Sequence, residues 1–279
     1  MRRAPGPAAR CYSEAGMPFT LRARATAAAA LALAFTASLA SGQTVDDIVR
    51  AYLEARGGAA KLRAVQSLRF AGTMEVGDVK APFTLELARP NKMRTEFVVQ
   101  GQTGVRAYDG QHAWARVPLP GEPPRLMTPE EAADARAQAD VDMSPLVDAA
   151  TKGYTIELVG RDRLPGGDTW KLLVRGHDAP PRTLHIDTRS HLVVETIDTR
   201  SEEGQPTDFV TEISDYRSVG GLMFPHRIEV GPKGKPDRQR LLIQKVEINP
   251  TLEASRFAMP PARRAKPQPA KPQPPAVLP

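Results

Sequence analysis

The feature that most constrains this chain is an alternation of apolar and polar residues with a period of two. The alternation begins at Leu68 and Phe70, stops in the middle of the chain, and continues from Tyr154 to Pro250. Strands with one buried and one solvated face have this pattern, and they pair in antiparallel sheets. Because short turns rich in Gly, Asn and Asp separate the runs, the sequence predicts about eleven strands in an antiparallel meander.

Apolar residues at helical spacing precede the sheet, in residues 44–56. Thr44 can cap this helix at its N-terminus, and Gly57-Gly58 can end it. A second short helical piece is predicted at 61–65.

The other helical signals lie in the middle of the chain. A loop rich in Pro and Gly, 118–127, precedes Thr128, which forms a capping-box pattern with Glu131 for a helix to about Ala139. A further short helix is predicted over 144–153. The predicted fold class is therefore α+β, mostly β: an unclosed antiparallel half-barrel of about eleven strands with short helices covering the concave face.

The distribution of charge argues against nucleic-acid binding. The formal net charge is +6, but residues 1–42 have five arginines against one glutamate, and 261–279 have four basic residues and no acid, so each end contributes +4. Residues 43–260 therefore carry −2, which removes the main support for a nucleic-acid partner. The low-complexity, Pro-rich residues 261–279 cannot bury a core and are predicted to be a disordered tail.

Residues 1–42 have the build of a secretory signal peptide. Arg22 and Arg24 precede an uncharged run whose apolar centre, 27–40, is short, rich in Ala and followed by small residues. A membrane span needs about 20 apolar residues, so an uncleaved N-terminal anchor is the less favoured alternative. The single cysteine, Cys11, would leave with the leader, and the mature chain would have no disulfide. We expect an exported, soluble protein of the periplasm with one domain at 43–260.

The sequence has no motif that assembles a catalytic site. A nucleophile elbow, a phosphate-binding loop, a dinucleotide fingerprint and a zinc-protease helix are all missing from it. His185 and Asp187, with His191 across a turn, can be read as a metal site, but a hydrogen-bonded histidine and an Asx-type turn are the favoured interpretation. We therefore expect no enzymatic activity, no cofactor and no metal.

Arg89 is the residue that most favours a binding function. A large sheet curls, and its apolar concave face, called the bowl below, must be covered. The predicted helices within 44–56 and 129–152 either fill the bowl as a core or leave a cavity for a ligand. Arg89 has the same parity as Phe83, so it projects from the apolar face at the end of its strand. One interpretation is a rim arginine that reaches water or pairs with a carboxylate, and the other is an arginine that binds a polar headgroup.

Several short motifs follow one another in a characteristic order. They are Ala51-Tyr52-Leu53 before Gly57-Gly58, Arg89-Pro90-Asn91, Asp109-Gly110 with Trp114, Ser144-Pro145-Leu146 before Gly153-Tyr154, and Leu252 to Phe257 before Pro260-Pro261. In order and spacing, these motifs resemble the LolA-like family of periplasmic outer-membrane lipoprotein carriers and lipoprotein-sorting proteins, over about 44–261. Residues 134–140 are more polar than the lid of a dedicated carrier.

The resemblance implies a half-barrel with a helical lid that binds the acyl chains of lipoproteins for transfer toward the outer membrane. The family's cargo-handling arginine corresponds to Arg89, and its turn and tryptophan to Asp109, Gly110 and Trp114, although core packing is the other interpretation of Trp114. The predicted ligand-binding residues are Arg89, Phe83, Leu85, Leu87, Met93, Phe97, Trp114 and Leu146. The expected partners are an acylated lipoprotein or lipid, an inner-membrane donor protein and an outer-membrane acceptor protein, and the protein is expected to be a monomer.

Two other functions remain open for the same fold. An envelope lipid or stress sensor, or a protein-interaction module, would bind a protein partner in a lipid-dependent way. A filled structural domain, whose edge strands pair with a partner, would bind no lipid.

Overall fold

A computed structural model describes residues 43–176, 180–202 and 204–261, which form three α-helices, thirteen β-strands and one 3-10 turn. The predicted signal peptide, 1–42, and the tail after Pro261 lie outside the described residues. The helices are α1 (Val45–Ala55), α2 (Ala59–Ala64) and α3 (Pro129–Gln138). The strands are β1 (Ser67–Val76), β2 (Val79–Ala88), β3 (Lys92–Val99), β4 (Gln102–Tyr108), β5 (Ala113–Arg116), β6 (Arg125–Leu126), β7 (Thr155–Leu164), β8 (Gly167–Arg175), β9 (Arg182–Asp187), β10 (Val193–Glu202), β11 (Gln205–Val219), β12 (Leu222–Pro232) and β13 (Gln239–Ile248), and the 3-10 turn is Ala254–Arg256.

All of these strands belong to one antiparallel sheet, in the order β6-β5-β4-β3-β2-β1-β13-β12-β11-β10-β9-β8-β7. β1 and β13, the first and last of the described strands, are neighbours at the centre of the sheet, where Phe70 lies opposite Val246. The fold class predicted from the alternation is confirmed, but the strands number thirteen rather than about eleven. The two-residue β6, which lies inside the predicted 118–127 loop and pairs with β5, is too short to leave an alternation in the sequence.

The sheet order explains why the bowl is covered. Among the described strands, β6 and β7 are the two edges of the sheet, yet they follow one another along the chain. The connection between them must therefore span the whole width of the sheet. This connection, α3 together with residues 139–153, lies on the concave face and is called the lid below.

Two of the predicted helices form with the predicted caps. Thr44 and Asp47 make a reciprocal capping box at the start of α1, and Thr128 and Glu131 make another at α3. The helix predicted over 144–153 does not form, and this segment consists of turns. Asp148 has a φ of 53°, a left-handed conformation that interrupts a right-handed helix.

The core lies between the lid and the concave face. Leu87 of β2 lies opposite Met93 of β3, and Met93 lies opposite Tyr108 of β4. The three side chains therefore lie side by side on the concave face. They belong to one buried apolar cluster with Ala135 and Val147 of the lid. None of the helices in the described part of the chain is long and apolar enough to cross a bilayer.

The segment after β13 packs on the opposite, convex face. Phe257 is 1% exposed, and its carbonyl oxygen accepts a hydrogen bond from Trp114 Nε1 at 2.8 Å. Glu86, whose side chain is 2% exposed, accepts from Arg69 Nε at 2.9 Å and from Arg256 Nε at 2.8 Å. The Arg256–Glu86 ion pair and the hydrogen bond from Trp114 to the Phe257 carbonyl oxygen hold the C-terminal segment across the back of β2 and β5.

Candidate functional site

An ion pair joins the end of β2 to the lid. Arg89 Nη2 donates to Asp142 Oδ1 at 2.6 Å, and Arg89 Nε donates to the carbonyl oxygen of Val65 at 2.7 Å. The Asp142 side chain is 2% exposed and that of Arg89 is 29% exposed. Arg89 therefore pairs with a carboxylate, as one of the two interpretations anticipated, and that carboxylate belongs to the lid.

Asp142 also contacts a second cation. Lys152 Nζ lies 2.8 Å from Asp142 Oδ2 and 2.8 Å from Asp140 Oδ2. Burial lowers the pKa of Lys152, but the two carboxylates outweigh burial and the net shift is upward, so the ammonium group remains charged. The middle of the lid is thus held by charge-assisted contacts to β2 and within itself.

The lid fills only part of the bowl. Over β1–β5, the lid residues Ala135, Ala139, Val141 and Val147 belong to the same buried cluster as the apolar side chains of the strands. On the other half of the sheet, α1 and Leu146 pack against an apolar cluster on β8–β10. The covering segment therefore fills most of the concave face over β1–β5 and leaves open space between the end of β2 and β8–β12.

That open space consists of two adjacent cavities between the lid, β2 and β8–β12. The outer cavity has about 290 Å³, and its apolar lining is Leu85, Leu87, Met143, Tyr154, Val174 and Ile213. The inner cavity has about 90 Å³ and extends to α1. Met143, Arg182 and Thr196 line both cavities, so the two are adjacent.

A wider groove of about 770 Å³ lies on the surface between α1 and residues 146–156. Its apolar lining includes Val49, Leu53 and Ile156. Tyr154 lines both this groove and the outer cavity. The tyrosine therefore separates an open apolar surface from the covered space behind the lid.

Charged side chains also face the outer cavity. Arg200 donates through Nε to Asp198 Oδ2 at 2.6 Å, and its guanidinium lies 4.8 Å from the ring centroid of Phe209. Burial lowers the pKa of Arg200, but the Asp198 carboxylate outweighs burial and the net shift is upward. Arg182, at the start of β9, lines both cavities. The space is therefore amphipathic, with aliphatic walls and guanidinium groups.

Five of the predicted ligand-binding residues lie on the concave face of β2 and β3. Leu85 and Leu87 line the outer cavity. Phe83, Met93 and Phe97 lie in or against the apolar cluster beneath the lid. Leu85 and Leu87 also pack in or against this cluster, so all five contribute to the core and two of them also border the cavity.

Leu146 and Trp114 lie elsewhere. Leu146 is 2% exposed, packs with the α1 cluster and lines the surface groove. Trp114 follows Ala113, which faces the lid, so it points to the convex face. There it contacts Phe257, and the Arg94 guanidinium lies 5.6 Å from its ring. Trp114 thus has the core-packing role and does not line the cavity.

Sequence reasoning missed the arginines of the cavities. Arg182 has the same parity as Leu184 and Ile186, so the parity argument used for Arg89 would also have found it. Arg56 follows the last residue of α1 and left no comparable signal, because its inward position depends on how α1 meets the sheet.

The histidine pair considered as a metal site does not assemble one. Asp187 Oδ1 accepts from the backbone nitrogens of Ser190 at 2.7 Å and Arg189 at 3.1 Å, which is the predicted Asx-type turn. His185 Nδ1 lies 3.0 Å from Glu195 Oε1, but at an angle that makes no hydrogen bond. Within residues 43–176, 180–202 and 204–261, no group of three potential metal ligands occurs.

Comparisons with known proteins bear on the fold. No protein-family model and no curated protein sequence matches the chain. Among solved structures, a LolA superfamily protein from Nitrosomonas europaea has a TM-score of 0.53 and 13% identity, over 77% of this chain and 97% of that one. A DUF1329 family protein from Desulfovibrio piger has a TM-score of 0.53 and 11% identity, with the same coverage. A domain from Vibrio parahaemolyticus, named for outer membrane lipoprotein sorting, has a TM-score of 0.50 and 10% identity, over 76% and 94%.

Proposed function

Because the chain has a LolA-like fold, we propose that it binds acyl chains of lipoproteins, or a similar apolar ligand, beneath its lid and carries them across the periplasm toward the outer membrane. The observation that supports this proposal most directly is the space beneath the lid, which consists of two adjacent cavities bordered by β2 and β8–β12. Leu85, Leu87 and Val174 give it aliphatic walls. Its volume is at the lower end of the range for ligand pockets, so a longer chain requires the lid to move outward.

The contacts of the lid suit such a movement. Over the first half of the bowl, the lid contributes small side chains, Ala135 and Ala139, beside the larger Val141 and Val147. Small side chains lose little buried area when the lid moves away. The Arg89–Asp142 ion pair gives the closed position a defined geometry.

Transfer between membranes does not require a large net free energy. Each methylene group removed from water is worth about 0.8 kcal/mol, but cargo that leaves one membrane and enters another is apolar at both ends of its path. The free energies of leaving the first membrane and of entering the second differ little, so the free energy of opening the lid can determine the direction of transfer. The proposal includes no covalent step and no nucleotide.

Native mass spectrometry with lipid extraction tests the proposal, using the full chain expressed with export and purified from a periplasm. We expect bound acyl lipid or lipoprotein in the wild-type protein and a changed amount in Arg89→Leu. Arg175→Leu, which removes an exposed cross-strand ion pair with Glu157, is the matched control and should leave the bound species unchanged. A ligand-free mass together with no uptake of a fluorescent fatty-acid probe would overturn the proposal.

Transfer distinguishes a carrier from a sensor on the same fold. A carrier loaded with labelled lipopeptide should release it to acceptor vesicles or to an acceptor protein. A sensor should instead keep its lipid and bind a protein partner only in the loaded or only in the empty state.

A further inference from the structure

Arg56 is a buried cation that contacts only neutral groups. It is 4% exposed, and it donates to the Tyr52 hydroxyl at 2.7 Å, to the carbonyl oxygen of Met223 at 3.0 Å and to the carbonyl oxygen of Asp142 at 3.5 Å. In the part of the chain that the structure describes, no carboxylate lies within the 4.0 Å that defines an ion pair with it. A buried charge without a counter-ion is destabilising, so this position favours an anionic ligand.

The lining of the inner cavity also favours an anionic ligand. Arg56 and Arg182 both line it, together with the hydroxyl groups of Ser144, Thr196 and Tyr216. Burial raises the pKa of Tyr216, so its hydroxyl stays neutral. Among the described lining residues there is no aspartate or glutamate. An anion in this space would meet two guanidinium groups and several hydroxyl groups without a repelling carboxylate on the wall.

The charges around the two cavities do not cancel. Arg89 and Lys152 pair with two carboxylates of the lid, those of Asp140 and Asp142, and Arg56 lies beside them at the carbonyl oxygen of Asp142. The outer cavity is lined by Arg182 and Arg200 and by two carboxylates, that of Asp198 and that of Asp140, which is already counted in the lid. These described groups together comprise five cations and three carboxylates, although residues 43–260 as a whole carry −2. Among these described side chains, positive charge therefore exceeds negative charge around the two cavities.

We propose that the inner cavity is an anion site and that the ligand of the bowl is an amphiphile with one compact anionic group, a carboxylate or a phosphate. Arg56 and Arg182 hold this group, and the aliphatic chain lies against Leu85, Leu87 and Val174 in the outer cavity. The inner volume of about 90 Å³ equals the liquid volume of about three waters, which suits a carboxylate or phosphate group. This inference rests on the proposed function, since it names the chemistry of the ligand bound in the same space.

Three probes with the same alkyl chain test the inference: dodecanoate, dodecyl phosphate and 1-dodecanol. Their dissociation constants are measured on the full chain by displacement of an uncharged apolar fluorophore. We expect dodecanoate or dodecyl phosphate to bind on the order of tenfold more tightly than 1-dodecanol, because charge-assisted hydrogen bonds are stronger than neutral ones. The stronger of the two anions identifies the headgroup as carboxylate or phosphate.

Two variants of the inner cavity and one exposed control variant connect the anion preference to that cavity. Arg182→Gln should weaken binding of the preferred anion about tenfold and change binding of 1-dodecanol less than about twofold. Arg56→Lys keeps the charge in the inner cavity and should retain the preference for the anion. Arg163→Gln removes one positive charge from a side chain that is 84% exposed, and it should change neither affinity.

The possible outcomes separate this inference from the proposed function. Equal affinity for all three probes, or an unchanged anion preference in Arg182→Gln, would overturn the anion site and leave the apolar binding function in place. Absence of binding by all three probes would overturn both.

Discussion

Gly57 determines how α1, and with it Arg56, meets the sheet. Its φ is +108°, and a Cβ atom at this position would lie 2.2 Å from the carbonyl oxygen of Gly221. The close approach brings the Arg56 carbonyl oxygen within 3.0 Å of the Met223 nitrogen, which donates to it. Only glycine combines this conformation with this contact, so Gly57 fixes the position of the buried guanidinium group next to it.

Substitution of Gly57 should therefore be more costly than substitution of its neighbour. Gly58 has a similar φ of +100°, but a Cβ atom there would meet nothing within 4 Å. We expect Gly58→Ala to lower the free energy of unfolding by about 1 kcal/mol and Gly57→Ala by more than about 2 kcal/mol. Urea denaturation of both variants measures the difference, and equal losses would show that the contact with Gly221 is unimportant.

For single residues, the sequence predicts which face of the sheet a side chain points to better than it predicts which residue that side chain contacts. The parity of Arg89 with Phe83 correctly placed its side chain on the concave face. Its partner, Asp142, lies 53 residues further along the chain, and no local pattern points to it. For Trp114, the family resemblance suggested a contact with the ligand. The register of β5 instead directs this side chain to the convex face.

Among the elements, those with complete local signals formed as predicted. α1 and α3 each have a capping box, and their boundaries follow from it. The short helix predicted over 144–153 was wrong, because tertiary contacts select turns there: Lys152 binds Asp140 and Asp142, and Arg63 binds Asp148. The resulting lid keeps those carboxylates where Arg89 and α2 can reach them.

The C-terminal segment is an element whose contribution can be measured by truncation. A chain that ends at Glu253 loses Phe257 and the Arg256–Glu86 ion pair, whereas a chain that ends at Pro261 keeps both. We expect the shorter chain to lose about 3 kcal/mol or more of unfolding free energy, because burial of a phenylalanine alone is worth about 1.5–3 kcal/mol. The longer truncated chain should keep the stability of the full chain.

Tryptophan fluorescence gives a second measurement of the same truncation. Trp114 is 1% exposed beneath this segment, so its emission should shift to longer wavelength in the chain that ends at Glu253. The shift should disappear when Trp114→Phe is added, which assigns it to that ring rather than to Trp170. An unshifted spectrum would contradict the role of Phe257 as its cover.

On the scale of the whole molecule, the charge network makes stability depend on pH. Ion pairs and backbone amides lower the pKa of many carboxyl groups, and the contacts with Arg125 and the Thr128 amide lower the pKa of Glu131 to about 2. A carboxyl group with a lower pKa in the folded state than in the unfolded state stabilises the fold at neutral pH. That contribution is complete above the unfolded value of about 4.3 and is lost as the pH falls toward 2.

We therefore expect the urea midpoint to fall steadily between about pH 5 and pH 2. Glu131→Gln should make this dependence shallower, because the group that takes up a proton has been removed. Glu130→Gln, a neighbouring exposed position on α3, should leave the slope unchanged. Because the Glu131 side chain is 39% exposed, solvent screens its ion pair and the effect on the slope should be modest.

The sequence by itself determined the strands, their inward and outward faces and the two capped helices. These features depend on residues two to four positions apart, whose relative orientation follows directly from backbone geometry. The same argument placed Arg89 on the concave face, and applied to β9 it also identifies Arg182.

Only the tertiary structure decided the order of the sheet. The pairing of β1 with β13 joins residues 163–180 positions apart, and it leaves β6 and β7 as the two edges of the described sheet. The connection between those edges must then cross the bowl as a lid, with Asp142 next to Arg89 and the cavities behind it. Contacts of this kind depend on the packing of distant segments, which no local periodicity encodes, and they bring Arg56 and Arg182 to the same cavity.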